Sequence, residues 1–195
     1  MIGLNIYPLT PARWRDFEIL FGKNGACAGC WCRWWRLPRA QWAKQKGAGN
    51  KLATRKIVNG GGAPGLLAFA DGRPVGWRAV APREVYPRLA SARTLKPIDD
   101  QPVWSITCFF VARPFRRRGV TVELLEAAVD FARRNGANIV EGYPVEPKKD
   151  QPDVFVYTGL ASAFQKAGFE EAVRRSETRP MMRCVLKPAE ARVTR

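Results

Sequence analysis

The densest chemistry in the sequence is the run Arg116-Arg117-Arg118-Gly119-Val120-Thr121. Before it stands Val103–Val111, rich in β-branched and aromatic residues, and after it the amphipathic stretch Arg118–Asn135, so the run reads as a strand–turn–helix junction. A helix N-terminus presents free N–H groups and partial positive charge. Three arginines there add like charge to like. An anion, most simply a phosphate, resolves the conflict if amides and guanidinium groups converge on it, and Gly119 lets the backbone approach closely. The alternative is a solvated basic turn.

Glu141 and Tyr143 alternate on one face of the strand expected after that helix. A carboxylate there suits a general base that acts directly or through water, and Tyr143 or Tyr157 suits the matching acid. Burial would raise the Glu141 pKa toward a useful range. Among so many arginines, Glu141 reads equally as a structural ion-pair partner. Cys108, in the central strand, is either a small core residue or an acyl-carrying nucleophile.

Cys27-x-x-Cys30-x-Cys32, interleaved with Trp31, Trp34 and Trp35, is the second unusual segment. Tetrahedral zinc needs a fourth ligand and the chain has 0 His, so no metal is expected. The indoles either pack on the sheet or line an aromatic acceptor pocket, whose faces would suit a cationic or planar amine.

The elements that must position these groups follow from periodicity and stop signals. Leu4–Leu9 alternates as a first strand, and Thr10-Pro11 predicts an N-cap and a helix over Pro11–Phe21. Helical pieces are expected at Pro38–Lys46 and Lys51–Val58, separated by Gly47 and Gly49. Leu66–Ala70, Asp71-Gly72 and Val75–Ala81 predict a hairpin, with one helical turn near Val85–Ser91. After Arg118–Asn135 come a strand over Ile139–Val145, a helix over Leu160–Ala167 stopped by Gly168, and strands over Glu170–Arg175 and Pro180–Leu186. Strand, long helix, strand makes one parallel pair within antiparallel hairpins. The expected fold is α/β (α+β): a mixed, mostly antiparallel central sheet with helices on both faces and a cofactor cleft where the parallel pair opens. One domain over residues 1–187 and a polar tail over 188–195 are expected.

Thirty-three Lys and Arg against 17 Asp and Glu give a formal charge of +16. That balance suits nucleic acid, acidic lipid or a phosphorylated cofactor, and equally the solvated surface of an Arg-rich protein. No apolar run approaches ~20 residues, and the N-terminus lacks a basic start with a long apolar core, so no membrane association and a cytoplasmic location are expected. Without His, acid–base chemistry falls to Glu, Asp, Tyr, Cys, Ser or water.

Arg116-x-x-Gly119-x-Thr121, after Cys108-Phe109-Phe110-Val111 and Arg113-Pro114-Phe115, resembles the acetyl-CoA signature of the GNAT acyltransferases. Phe164-Gln165-Lys166-Ala167-Gly168-Phe169 resembles the end of that family's last helix. The likeness is specific over Trp104–Phe169, and the CxxCWC segment resembles a subgroup of GNAT-like proteins. The resemblance implies that Phe109, Phe110 and Val111 offer backbone groups to the pantetheine arm, and that Arg116, Arg117, Arg118, Gly119, Val120 and Thr121 cradle the pyrophosphate. It makes Trp31, Trp34 and Trp35 an acceptor wall. Thr121 stands where the family has Gly or Ala, and its hydroxyl can compensate by bonding a phosphate. Phe164 replaces the tyrosine that often protonates the leaving thiolate. The implied activity is acetyl transfer from acetyl-CoA, by direct attack, to a primary amine of a small molecule or peptide, with a homodimer compatible. The alternatives are a non-catalytic GNAT-like module that binds nucleic acid or another polyanion, stacking bases on CWCRWWR, and a cysteine-based metal or redox sensor.

Overall fold

β-branched and aromatic runs, cut by glycine and proline, build a seven-stranded sheet in the order β1-β2-β3-β4-β5-β7-β6. The computed structural model describes residues 3–149 and 151–186. The strands are β1 (Asn5–Pro8), β2 (Gly65–Ala70), β3 (Arg73–Pro82), β4 (Trp104–Val111), β5 (Ile139–Gly142), β6 (Glu170–Arg174) and β7 (Pro180–Val185). Only β4 and β5 pair in parallel; all other neighbours are antiparallel. The tail expected over 188–195 lies outside the described residues.

The helices are α1 (Trp14–Phe21), α2 (Arg39–Lys44), α3 (Ala48–Asn59), α4 (Pro87–Ser91), α5 (Val120–Arg134) and α6 (Ala161–Lys166). No helix among the described residues is long and apolar enough to cross a membrane. Strand alternation sorts the core into two layers. Val80, Ile106, Phe109 and Val140 face α5 and α6, where Leu124, Leu125, Ala128 and Phe164 are buried. Trp77 and Ala79 face the opposite way, against Trp14, Phe17, Phe21 and Val58. Beside that cluster Ala81 and Tyr143 pack with Trp35, Tyr86 and Leu89.

The structure moves several expected boundaries. Helix α5 begins at Val120 rather than Arg118 because Gly119 is left-handed at φ 87°. Gly49 sits in the first turn of α3, so Gly47 alone, at φ 77°, divides α2 from α3. Thr10 makes no side-chain cap; its hydroxyl accepts instead from Arg13 Nη1 at 3.4 Å. β5 stops at Gly142, leaving Tyr143 to Val145 beyond the strand, where Val145 bridges to Leu160.

Candidate active site

β4 and β5 pair only from Trp104–Ile106 to Val140–Gly142. β4 then runs on to Val111 alone on that side. At the parting point Ala79 pairs with Cys108 and Val80 with Ile106, so Thr107 is the extra residue of a bulge, a device that bends a strand and re-aims its side chains. The unpaired edge of β4 must satisfy its polar groups, and the chain's own 153–159 segment does so. Phe109 N–H donates to the Tyr157 carbonyl at 2.7 Å, and the Val111 carbonyl accepts from Arg116 Nε at 3.0 Å. Phe110 lies in register with Trp77 inside the ladder with β3. The strip Phe109–Val111, expected open along the cleft, is therefore already engaged at two of its three residues.

Beyond the parting lies the basic turn. Arg113–Phe115 forms one 3-10 turn, Arg116 is extended, and Arg117 (φ 59°) and Gly119 (φ 87°) are left-handed. Glycine at the cap position has no side chain to cover the first helical amides, and Gly119, Arg117 and Arg118 are exposed. Among the described residues neither Arg117 nor Arg118 has an acidic partner. Arg116 does: its Nη1 meets Asp153 Oδ2 at 2.5 Å, tying the turn to the segment that covers β4. Val120 is buried under α5 and Thr121 is half-buried. The six residues of the expected anion turn are thus contiguous in space, with Arg117, Arg118 and Gly119 exposed and Arg116 held by a carboxylate.

Arg78 is the residue that reading the sequence missed. It is fully buried, and among the described residues its Nε, Nη1 and Nη2 have no hydrogen-bond partner. Its guanidinium carbon stands 3.2 Å from the Phe109 ring centroid and 5.4 Å from that of Phe164. Gly159 closes the same space: an added Cβ would lie 2.6 Å from Phe109 and 2.9 Å from Phe164. The next-door Thr158 hydroxyl is also buried without a partner. Burial holds the Arg78 pKa well below the usual guanidinium range, and an uncompensated buried charge costs several kcal/mol. An arginine inside the apolar strand Val75–Ala81 was the visible signal.

On the opposite face of β4, Cys32 Sγ accepts from Trp77 Nε1 at 3.1 Å, while the Cys108 thiol donates to the Phe109 carbonyl at 3.9 Å. The nearby Cys108 thiol, then the Trp77 N–H, hold Cys32 below the ordinary thiol value against the cost of burial; the Cys32 sulfur, with burial, pushes Cys108 well above it. Burial also raises Cys30 and the phenol of Tyr157, which feels Cys108, Arg179 and Arg88. Among the described residues, no three His, Cys, Asp or Glu side chains are grouped to hold a metal ion.

Glu141 and Tyr143, expected as base and acid, sit together but away from free solvent. Arg83 Nη1 bonds Glu141 Oε1 at 2.8 Å and Arg183 Nε bonds Oε2 at 2.9 Å. Tyr143 donates to Oε1 at 2.7 Å and meets Ser105 Oγ at 2.7 Å. Both carboxylate oxygens are occupied, and Glu141 is fully buried. Burial, then the Glu141 charge, pushes Tyr143 well above the usual phenol range, and the side chain is enclosed. The expected base and acid are thus enclosed in one buried network. The physical reason is that Arg83 and Arg183 converge on Glu141 from the turn after β3 and from β7.

The three indoles do not form one pocket. Trp31 stacks on Phe21 at 5.7 Å in the α1 core. Trp35 is buried with Tyr86 and Leu89. Trp34 alone of the three stays half-exposed, edge-on to Trp42 at 4.9 Å with the Arg88 guanidinium 3.6 Å over its ring. The separation is made by left-handed backbone at Trp31 (φ 45°) and Cys32 (φ 60°), which throws successive side chains to different faces.

No curated protein matches the sequence. Solved structures with the same fold include a GNAT-family acetyltransferase from Listeria monocytogenes (TM-score 0.57, 9% identity, 95% of this chain and 98% of that one). Another is a GNAT-family acetyltransferase from Streptococcus agalactiae (TM-score 0.55, 15% identity, 95% and 96%). A third is the PaiA N-acetyltransferase from Thermoplasma acidophilum, in complex with coenzyme A (TM-score 0.52, 13% identity, 95% and 100%). Residues 31–157, which carry the parted strands, the bulge and the basic turn, match the family model described as the Acetyltransferase (GNAT) family. With that match over more than half of its length, the chain belongs to the GNAT acetyltransferase family.

Proposed function

We propose that this protein transfers the acetyl group of acetyl-CoA directly to a primary amine of a small molecule or peptide. The observation that carries the reading is the parting of β4 from β5 at the Thr107 bulge, with the glycine-capped basic turn just beyond it. When bound, acetyl-CoA supplies an activated thioester. Arg117, Arg118 and the first amides of α5 hold its pyrophosphate, joined by Arg116 once Asp153 lets go, and the Thr121 hydroxyl adds a hydrogen bond. Phe109 and Val111 orient the pantetheine arm through the edge that the 153–159 segment now covers. The orphaned donors of Arg78 and Thr158 fit a polar ligand in that cleft. The coenzyme A complex of the Thermoplasma PaiA enzyme supports the choice of donor.

Tyr157 is the proposed acid, a phenol kept protonated by burial beside the cleft. Deprotonation of the amine falls to water, since Glu141 is engaged. The acceptor wall is Trp34 with Arg88, and Trp35 packs in the same cluster behind it; Trp31 belongs to the α1 core. The CxxCWC segment marks the subgroup, residues 1–187 act as one unit in the cytoplasm, and a homodimer is compatible with the reading.

A second reading rests on the exposed Arg113, Arg117 and Arg118: a module that binds a polyanion without catalysis. Calorimetric titration with acetyl-CoA, dephospho-CoA and a short oligonucleotide separates the two. Micromolar, acetyl-CoA-selective binding followed by thiol release with an amine panel supports the enzyme. Salt-sensitive oligonucleotide binding without acetyl-CoA binding overturns it.

A further inference from the structure

Arg78 lies on the α5–α6 face of β3, because Trp77 and Ala79 face the other way. Its register partner on β4 is Phe109, whose amide faces the parting between β4 and β5. The guanidinium carbon stands over the Phe109 ring, 3.2 Å from its centroid, and 5.4 Å from that of Phe164, which packs where a Gly142 side chain would overlap it. So the cation reaches from β3 to the side chain of the β4 residue whose amide faces the parting. None of its three nitrogens has a partner among the described residues, although guanidinium carries five N–H donors and keeps its proton in proteins. The two aromatic rings supply only a quadrupole. Among the described residues no carboxylate pairs with it, so the site lacks a counter-anion from them.

Resting on the acetyl-CoA reading above, we propose that Arg78 is a catalytic residue that pairs with the sulfur of departing CoA and holds it as a thiolate. The pyrophosphate belongs at the exposed arginines of the α5 turn. During transfer negative charge develops first on the carbonyl oxygen as the amine adds, and then on sulfur as the C–S bond breaks; the sulfur's charge is the one that persists on the departing CoA. A C–N bond forms to the acyl carbon, the C–S bond breaks with its electron pair leaving on sulfur, and the amine proton passes to water. Amide, thiolate and proton balance the step. Arg78 gives up no proton; it neutralises the charge where burial makes that neutralisation strongest. Proton delivery from Tyr157 is then a later, separable event.

The test is titration of the thiol of CoA bound to the wild-type protein, followed by far-ultraviolet thiolate absorbance, with binding measured in parallel by calorimetry. The bound thiol is expected to ionise about one pH unit or more below free CoA, a change of about tenfold in its acidity. Arg78→Met abolishes the shift, Arg78→Lys keeps part of it, and Tyr157→Phe leaves it in place. Wild type binds CoA more tightly than desulfo-CoA, and the preference grows with pH; in Arg78→Met it does not. A bound thiol that titrates like the free one in wild type overturns the proposal, whatever the variants do. So does a shift that survives Arg78→Met. If CoA does not bind the wild type at all, the acetyl-CoA reading falls first and this role with it; binding with an unshifted thiol removes only Arg78.

Discussion

The backbone N–H of Phe109 donates to the carbonyl of Tyr157 across 2.7 Å. That one bond closes the edge of β4 over the stretch where β5 has turned away, and the Arg116–Asp153 pair clamps the same segment from its other end. A donor that lies along β4 must replace both contacts. Amide hydrogen exchange reads this directly. On adding acetyl-CoA, the first amides of α5 should exchange more slowly. The 153–159 segment should exchange faster, while Phe109 stays protected because its partner changes without being lost.

Arg116 and Asp153 should have opposite effects on donor affinity. Arg116→Ala removes a charge-assisted contact of about 1.5–3 kcal/mol and should weaken acetyl-CoA binding by tenfold or more. Asp153→Asn removes the internal competitor and should leave affinity unchanged or improve it. Calorimetry on the two variants checks the pair; equal losses in both would show that Asp153 positions Arg116 rather than occupying it.

Glu141→Gln should unfold the protein before it slows the chemistry. The carboxylate is enclosed between Arg83 and Arg183, and removing one partner of a buried ion pair costs about 3–5 kcal/mol. The expected result is a large drop in melting temperature with near-normal turnover per folded molecule. A stable variant with lost turnover would return Glu141 to the role of base.

The core can be probed independently of the site. Leu124 is fully buried on α5 against β3 and β4. Leu124→Ala should cost about 2–5 kcal/mol in chemical denaturation, with acetyl-CoA affinity changed little in the fraction that remains folded.

Three of the tyrosines should ionise late. Burial raises Tyr86, Tyr143 and Tyr157 above the ordinary phenol value. Between about pH 10, where an unfolded phenol ionises, and their higher folded values, the folded protein holds protons that the unfolded chain releases. Stability from these groups is therefore complete below about pH 10 and falls as pH rises above it. Alkaline absorbance titration should show these three ionising late, together with loss of structure.

Much of this architecture was legible because it is local. The apolar stripe of α5, the glycine before it and Gly136 after it mark that helix within two residues. Asp71-Gly72 marks the β2–β3 hairpin, and both residues are left-handed there (φ 47° and 70°). The basic turn was legible for the same reason: its charge, glycine and flanking periods are contiguous. What failed to show was set by distance along the chain. Arg83 and Arg183 stand 58 and 42 residues from Glu141, so nothing near Glu141 announces that both its oxygens are taken. The fate of the tryptophans turns on φ signs at Trp31 and Cys32, which non-glycine residue types disguise. Arg78 could have been flagged as a charge in an apolar strand, but its lack of a partner is a property of three dimensions.

The place of β7 in the sheet has a consequence for how the molecule comes into being. β7 is the last in chain order of the seven described strands, yet it lies between β5 and β6, both made before it. On a growing chain, β5 and β6 emerge with no direct ladder to join them, and Glu141 has only Arg83 until Arg183 arrives. The sheet therefore closes from its interior and late, after the helices and hairpins upstream have had time to form. Until residue 183 is out, a carboxylate bound for the core waits with half its counter-charge, and the nascent chain is at its most vulnerable to wrong pairing along the open edge of β5.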